Sequence, residues 1–343
     1  MNTSTEMNKS ATPTTANILS TTALAISFLL GLVMNSLYLW VISLRMRKTV
    51  NTAWFFHLIL ANVVFTFTMP FLSVYLLMMP EWVFGIFLCK LMNSLISICM
   101  YTTVFLITVI GLDRYTFVFH PVWYRGNMNH RHASSICIVL WALAILCSSP
   151  YLAFRQIRLL DNNKTTVCYN DYTLSGKLDN YGNSTKQIKW FMFFFRITIG
   201  FLIPLSVITY CYVKIALKLK TNKLARSSKS YKIIFITVAS FFVSWTPYHL
   251  WYGMSIEKGR FQKSVMNILM VLQTSLICFN YCFTPLLYLF IAENFKKELQ
   301  KSILSLIESV LNETFNSFNK SFEDKSETPC LSAVNNNLQT QEA

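Results

Sequence analysis

Charge is scarce in this sequence, and negative charge scarcer still. Only 13% of its 343 residues are Asp, Glu, Lys or Arg, and 15 acidic residues stand against 30 basic ones. No carboxylate falls inside any of seven long apolar runs, while 54% of the chain is hydrophobic and the mean hydropathy is positive. A soluble globule of this length needs more charge than that, so the composition points to a polytopic membrane protein. Paired carboxylates, a nucleophile beside a base and a Gly-rich phosphate loop are all missing, and an enzyme is not expected. Neither histidine within the runs, His57 or His249, has a second ligand at suitable spacing, so no metal or other cofactor is expected. A separate cleavable signal is not expected: residues 1–17 are polar and rich in Ser, Thr and Asn, and the first apolar run is too long for an h-region. That run is expected to serve as its own insertion signal. The net charge of +15 would suggest nucleic acid in a soluble protein; here the basic residues gather at the ends of apolar runs, where membrane lipid head groups account for them.

The stretch from Cys89 to Pro121 organises what is present. An uncharged run from Leu91 to Leu112 separates a cysteine from the triplet Asp113-Arg114-Tyr115, and it is long enough to cross a bilayer as a helix. Six further runs match it: 18–44, 53–79 with only His57, 133–154, 190–213 with only Arg196, 233–256 with only His249, and 264–292. The expected fold is therefore all-α, a seven-transmembrane-helix bundle over residues 18–292. Residues 1–17 form an extracellular segment. Residues 293–308 carry Phe295, Leu299, Ile303, Leu304 and Ile307 at helical spacing beside Lys296, Lys297 and Lys301, the pattern of a short amphipathic helix lying on the inner leaflet. Residues 309–343 read as a disordered cytoplasmic tail.

Orientation follows from the loops. One side collects 18 Lys and Arg and the other 11, with Arg196 inside the membrane region, and the richer side is expected in the cytosol. Asn2, Asn8, Asn163 and Asn183 each begin an Asn-x-Ser/Thr glycosylation acceptor on the opposite face, although Asn312 and Asn319 match on the cytosolic side and such patterns arise by chance. Of nine cysteines, six lie within apolar runs as small buried side chains and Cys330 in the polar tail as a free or palmitoylated thiol. Cys89 and Cys168 both fall on the oxidising face and are the candidates for a disulfide pinning the loop 155–189 over the bundle.

Asp113-Arg114-Tyr115, Cys89, Trp141, Pro204, Tyr212, Phe241-x-x-x-Trp245-x-Pro247 and Pro285-x-x-Tyr288, each at its place in the run order, resemble a rhodopsin-like G-protein-coupled receptor over residues 18–305. Arg196, Gly200-Phe201-x-x-Pro204 and His120-Pro121-Val122-Trp123 are similar to the chemoattractant group that includes the formyl-peptide receptors. The resemblance implies an extracellular peptide or lipid ligand, a heterotrimeric G protein of the inhibitory type as partner, and arrestin recruited by phosphorylation of Ser317, Ser321, Ser326 or Thr328. Arg114, held by Asp113 at rest, would be released to the G protein when the sixth helix swings out, supported by Tyr212 and Tyr288, with Trp245 and Pro247 as the lever beneath the ligand cavity. The alternative is that Asp113 and Arg114 only anchor a helix at the interface, and that Trp245 and Pro247 are packing and kink. At the level of function, the rival is a scavenger or non-signalling receptor; a transporter is a more distant third.

Two departures from the family pattern stand out. Asn62 replaces the usual aspartate of the second helix, and Thr284 the usual asparagine before Pro285, so the internal sodium site of the family keeps only neutral oxygens from Asn62, Thr103 and Asn280. Arg196 lies about 9 Å below the outer start of its helix at 1.5 Å rise per residue, where a guanidinium needs an anion or a water-filled cavity. A ligand's acidic group is the expected partner; snorkelling, or backbone carbonyls, is the alternative. The formyl-peptide receptors add a second arginine and an aspartate, and here those positions are Met192 and Ser97. Helical spacing and resemblance add Ile96, Thr102, Tyr248, His249, Tyr252 and Gln273 to the candidate ligand cavity.

Overall fold

The computed structural model describes residues 13–160, 165–172, 182–221 and 228–291, together with 300, 301 and 312; residues 182–184, 219, 221, 228–235, 237, 258 and 283–291 are described as backbone only. Asn2, Asn8, Asn163, most of the expected amphipathic helix and the tail lie outside these residues, as do the side chains of Asn183, Thr284, Pro285 and Tyr288.

Seven long stretches of helix follow the seven apolar runs. They are α1 (Thr15–Leu44), α2 (Val50–Met78), α3 (Gly85–Phe119), α5 (His130–Phe154), α6 (Gly182–Ile197) continued through a π-helical turn at Thr198–Leu202 into α7 (Ile203–Thr221), α8 (Ser228–Ile256) and α9 (Lys263–Ile291). The short α4 (Pro121–Asn127) links α3 to α5. Among the described residues, six of the stretches are long and apolar enough to cross a membrane; α8 follows the run 233–256 in the sixth place. Several of the helices extend past their uncharged runs. α3, for example, carries Asp113 and Arg114 within its last two turns, because the interface tolerates charge without ending the hydrogen-bonded ladder.

The helix starts are set locally. Thr14 accepts from the Asn17 amide ahead of α1, Thr49 and Thr52 form a reciprocal capping box at α2, and Asn129 accepts from His132 N at α5. α3 sits centrally against α2, α5 and α7, while α1 packs on α2 and α9, and α8 on α9 and α6. The exterior of the bundle is apolar, and polar side chains are buried beside its hydrophobic core. Leu29, Val139 and Phe194 are exposed, whereas Ser20, Asn35, Asn62 and Asn280 are buried. Asn35 Nδ2 donates to Gly31 O at 2.9 Å and to Tyr281 O at 3.2 Å, tying α1 to α9, and Ser240 donates to Asn280 at 3.1 Å, tying α8 to α9. With a lipid-like exterior, such bonds and close packing hold the helices together where the hydrophobic effect does not.

The fifth crossing is not a uniform helix. Its π turn sits just before Pro204, whose ring removes one amide donor, and around Gly200, where a Cβ would meet Met100 Cε at 3.1 Å and the Tyr101 ring at 3.2 Å. Glycine therefore lets this helix press onto α3, and the extra residue in the turn resets which side chains above it face the bundle.

Between α5 and α6 the chain forms a hairpin absent from the sequence expectation, β1 (Arg155–Leu159) antiparallel to β2 (Thr166–Asn170), with Ile157 opposite Cys168. A Cys89–Cys168 disulfide fixes this hairpin to the head of α3, and Trp82 N donates to Thr166 O at 2.7 Å. Because the bond closes a loop of 79 residues, Cys89→Ser is expected to cost about 2–4 kcal/mol. Surface yield and unfolding temperature should both fall; a variant that melts with the wild type would show the bridge to be dispensable.

Candidate functional site

A cavity of about 630 Å³ opens at the Cys89 end of the bundle, floored by Trp245 and roofed in part by Cys168 and Tyr169 of β2. Trp245, itself 1% exposed, stacks obliquely over Phe241 and meets Tyr248 edge-on at 5.3 Å, so the floor continues down α8 as an aromatic column. Of the residues expected here, Arg196, Ile96, Tyr248, Tyr252 and Gln273 line the cavity; Thr102 and His249 do not. Thr102 is buried within the bundle, and His249 borders a separate groove on the other face of α8.

Arg196 is 2% exposed and its guanidinium lies among phenols. One terminal nitrogen donates to the Tyr151 hydroxyl and the other lies 3.5 Å from Met100 Sδ. The Tyr248 and Tyr151 rings stand 5.0 and 5.1 Å from its central carbon, and Tyr101 at 6.0 Å. Its Nε has no hydrogen-bond partner among the described residues, and no carboxylate there pairs with it. The phenols orient the cation and leave its charge unneutralised. Ser97, on the facing wall, supplies no charge.

Sequence reading did not single out a second cation. Arg155, the first residue of β1, lines the same cavity, with its Nε unpartnered among the described residues and one terminal nitrogen 3.8 Å from Cys168 Sγ. Burial pushes its guanidinium pKa below the usual value. Lys189 of α6 adds a third positive charge to the lining. The only hint in the sequence was the basic excess of the outer loops. The cavity can therefore accept a negative group at its base and attract one at its mouth.

At the other end of α3, Asp113 has two partners. Arg114 Nη2 approaches its Oδ2 at 3.0 Å, and the Tyr124 hydroxyl of α4 donates to its Oδ1 at 2.8 Å. Burial and the Asp113 carboxylate both raise the Tyr124 phenol pKa, so the phenol keeps its proton. Arg114 also donates to Asn51 at the start of α2. Tyr115 faces α7, stacked on Phe119 at 4.5 Å and 6.0 Å from Tyr210. The Tyr212 ring reaches α3 at Gly111, where a Cβ would stand 3.8 Å from it. Arg114 is thus bridged to α2 and, through Asp113, to α4.

A helical bundle with a cationic cavity at one end and a clamped Asp-Arg-Tyr triplet at the other defines a class. The family model "7 transmembrane receptor (rhodopsin family)" matches residues 34–288, and the chain belongs to that family of G-protein-coupled receptors. It is a multi-pass plasma-membrane receptor, not an enzyme, with a G protein as partner and an extracellular ligand. Among curated proteins it is 40% identical over 293 residues to "Probable G-protein coupled receptor 33" of Homo sapiens, covering 85% of this chain and 87% of that protein. The Mus musculus protein of that name is 36% identical over 332 residues, covering 96% and 93%. "Chemerin-like receptor 1" of Bos taurus is 34% identical over 295 residues, covering 83% and 80%. Similarity to the orphan receptor numbered thirty-three is also what Tyr38-Leu39-Trp40-Val41, Thr49-Val50-Asn51-Thr52, Phe56-His57-Leu58-Ile59-Leu60 and Glu293-Asn294-Phe295-Lys296-Lys297 suggest in the sequence.

Proposed function

We propose that the Cys89 end of the bundle faces outward and binds a peptide or lipid through an acidic group held by Arg196, and that the occupied receptor activates a heterotrimeric G protein of the inhibitory type. The observation that carries this reading is a guanidinium 2% exposed with no carboxylate paired to it among the described residues. A buried charge without a counter-charge is costly, and an acidic ligand would supply that counter-charge. Arg155 and Lys189 extend the positive field toward the mouth and favour approach of an anion. Ile96, Tyr248, Tyr252 and Gln273 would shape the rest of the site. Formyl-methionyl peptides fit poorly, since Met192 and Ser97 stand where their receptors place an arginine and an aspartate.

A second reading, a receptor that binds without signalling, is favoured by Asn62 and Thr284. The Asp113-Arg114-Tyr124 arrangement speaks against it, because a receptor freed from G-protein coupling has no need of it. G-protein activation in cells separates the two. Activity in the wild type that disappears in Arg114→Ala supports coupling; no activity in either, with ligand bound, supports the scavenger. Ser317, Ser321, Ser326 and Thr328, if phosphorylated, would bring arrestin.

Asn62 leads to a further expectation. It is 1% exposed, its Nδ2 has no hydrogen-bond partner among the described residues, and none of the seven apolar runs holds an Asp or Glu to neutralise an ion. The purified receptor is expected to melt at the same temperature in sodium chloride as in the chloride of a bulky organic cation. A rise specific to sodium would mean that neutral oxygens suffice to hold the ion.

A further inference from the structure

Between α6 with its π turn and α8 lies a second groove of about 400 Å³, which shares no lining residue with the main cavity. One wall is Trp190, Phe193, Ile197 and Phe201; the other is His249, Leu250 and Gly253. The Phe193 ring lies directly on the backbone of α8, since a Cβ at Gly253 would meet it at 3.0 Å. Leu250 is 54% exposed, so the groove opens on the side of the bundle that faces acyl chains. Its upper rim is closed by charges that satisfy one another: Glu257 pairs with Lys186 at 2.8 Å and with Arg260 at 3.2 Å.

His249 is the polar exception in this apolar wall. It is 4% exposed, is held edge-on by Phe201 and Tyr248 with ring centres 5.0 and 5.3 Å away, and has no hydrogen-bond partner for either ring nitrogen among the described residues. A neutral imidazole presents one donor and one acceptor, and burying both unpaired is unfavourable unless something in the groove meets them. An ion is not what fits. The rim charges are already paired, and a charged group about 12 Å below Glu257, at 1.5 Å rise per residue, would lie in hydrocarbon. A hydroxyl fits, because it both donates and accepts, and its carrier must be apolar to match the walls.

We propose that this groove is a binding site for an uncharged, membrane-dissolved alcohol or phenol, which enters from the lipid beside Leu250 and hydrogen-bonds His249. The groove volume falls at the small end of the range for small-molecule pockets, about 300–1,000 Å³, so the occupant is a compact lipophile and not a whole phospholipid. This site stands apart from the acidic-ligand site and does not depend on Arg196.

The test is photolabelling of the full-length receptor in lipid nanodiscs with a diazirine-bearing alkylphenol, mapped by mass spectrometry. Labels are expected within residues 190–201 and 246–261, competed by the parent alkylphenol and about ten-fold less well by its methyl ether, which cannot donate; one hydrogen bond to a buried partner is of that size. His249→Phe keeps the ring and removes its nitrogens, and should lower labelling about ten-fold. Leu250→Trp, changed only on the lipid face, should block entry while the receptor's unfolding temperature is retained. Equal competition by the methyl ether in the wild type would overturn the proposal even if a variant failed to fold. Labelling that maps to the main cavity, or that is unchanged in Leu250→Trp, would overturn it as well.

Discussion

Arg196→Met is expected to melt a few degrees above the wild type when no ligand is present, and to lose its response to an acidic ligand by thirty-fold or more. The two effects have one cause. Arg196 is 2% exposed, and stripping water from a guanidinium costs several kcal/mol. Two tyrosine rings near 5 Å return about 0.5–2 kcal/mol each, and the bond to the Tyr151 hydroxyl returns a little more. Without a carboxylate the balance stays unfavourable, and an apolar side chain of similar length relieves it; even a buried ion pair replaced by apolar side chains can gain about 1–4 kcal/mol. Ligand binding reverses the sign. Removing one partner of a buried charge pair costs about 2–5 kcal/mol. Thermal unfolding of purified receptor reads the first effect and a dose-response curve the second. A variant that melts lower and keeps its potency would show that Arg196 is a packing residue.

The second large effect is expected at the other end of α3. Asp113→Asn should raise ligand-independent G-protein activation by about ten-fold, because Arg114 loses its charged partner at 3.0 Å, and a ten-fold shift needs only about 1.4 kcal/mol. Tyr124→Phe removes only the bond at 2.8 Å to the same carboxylate and should give a smaller rise in the same direction. Arg114→Ala should abolish activation, since the group to be released is gone. Nucleotide exchange in membranes, normalised to receptor number, measures all three. If Asp113→Asn and the wild type have equal basal activity, the clamp does not restrain the receptor, and Asp113 serves only to hold α3 and α4 together.

What the sequence revealed, and what it did not, follows from how strongly each feature was constrained. The run from Leu91 to Leu112 announced α3 because hydrocarbon imposes both a minimum length and an absence of charge. Helix ends were less legible: Asp113 to Phe119 continue α3 beyond the run, since the interface accepts charged residues in a helix. The hairpin 155–170 was missed for a different reason. Its strands are five residues each with little alternation, and their pairing is fixed by Cys89 and Trp82, remote in the chain. Arg196 was conspicuous as the single charge of its run, whereas Arg155, one residue past the end of another run, was counted with the loop. Tyr248 and His249 stand about 100° apart on their α-helix; Tyr248 took the cavity and His249 the outer groove. Thr102 failed by the same geometry, six residues and thus about 240° on from Ile96. The π turn at Thr198–Leu202 left no periodic signature either, since its one extra residue is invisible in an apolar run.

The claim on which these expectations rest is that a negative charge on the ligand completes the Arg196 site. It is tested most directly with peptides and lipids supplied as matched pairs, the free acid and its amide or ester, applied to cells bearing the wild type or Arg196→Ala. The wild type should respond to an acid and at least thirty-fold less to its neutralised twin, while Arg196→Ala at equal surface density should answer both alike and weakly. An activator that works as well in neutral form, with a response undiminished in Arg196→Ala, would contradict the account.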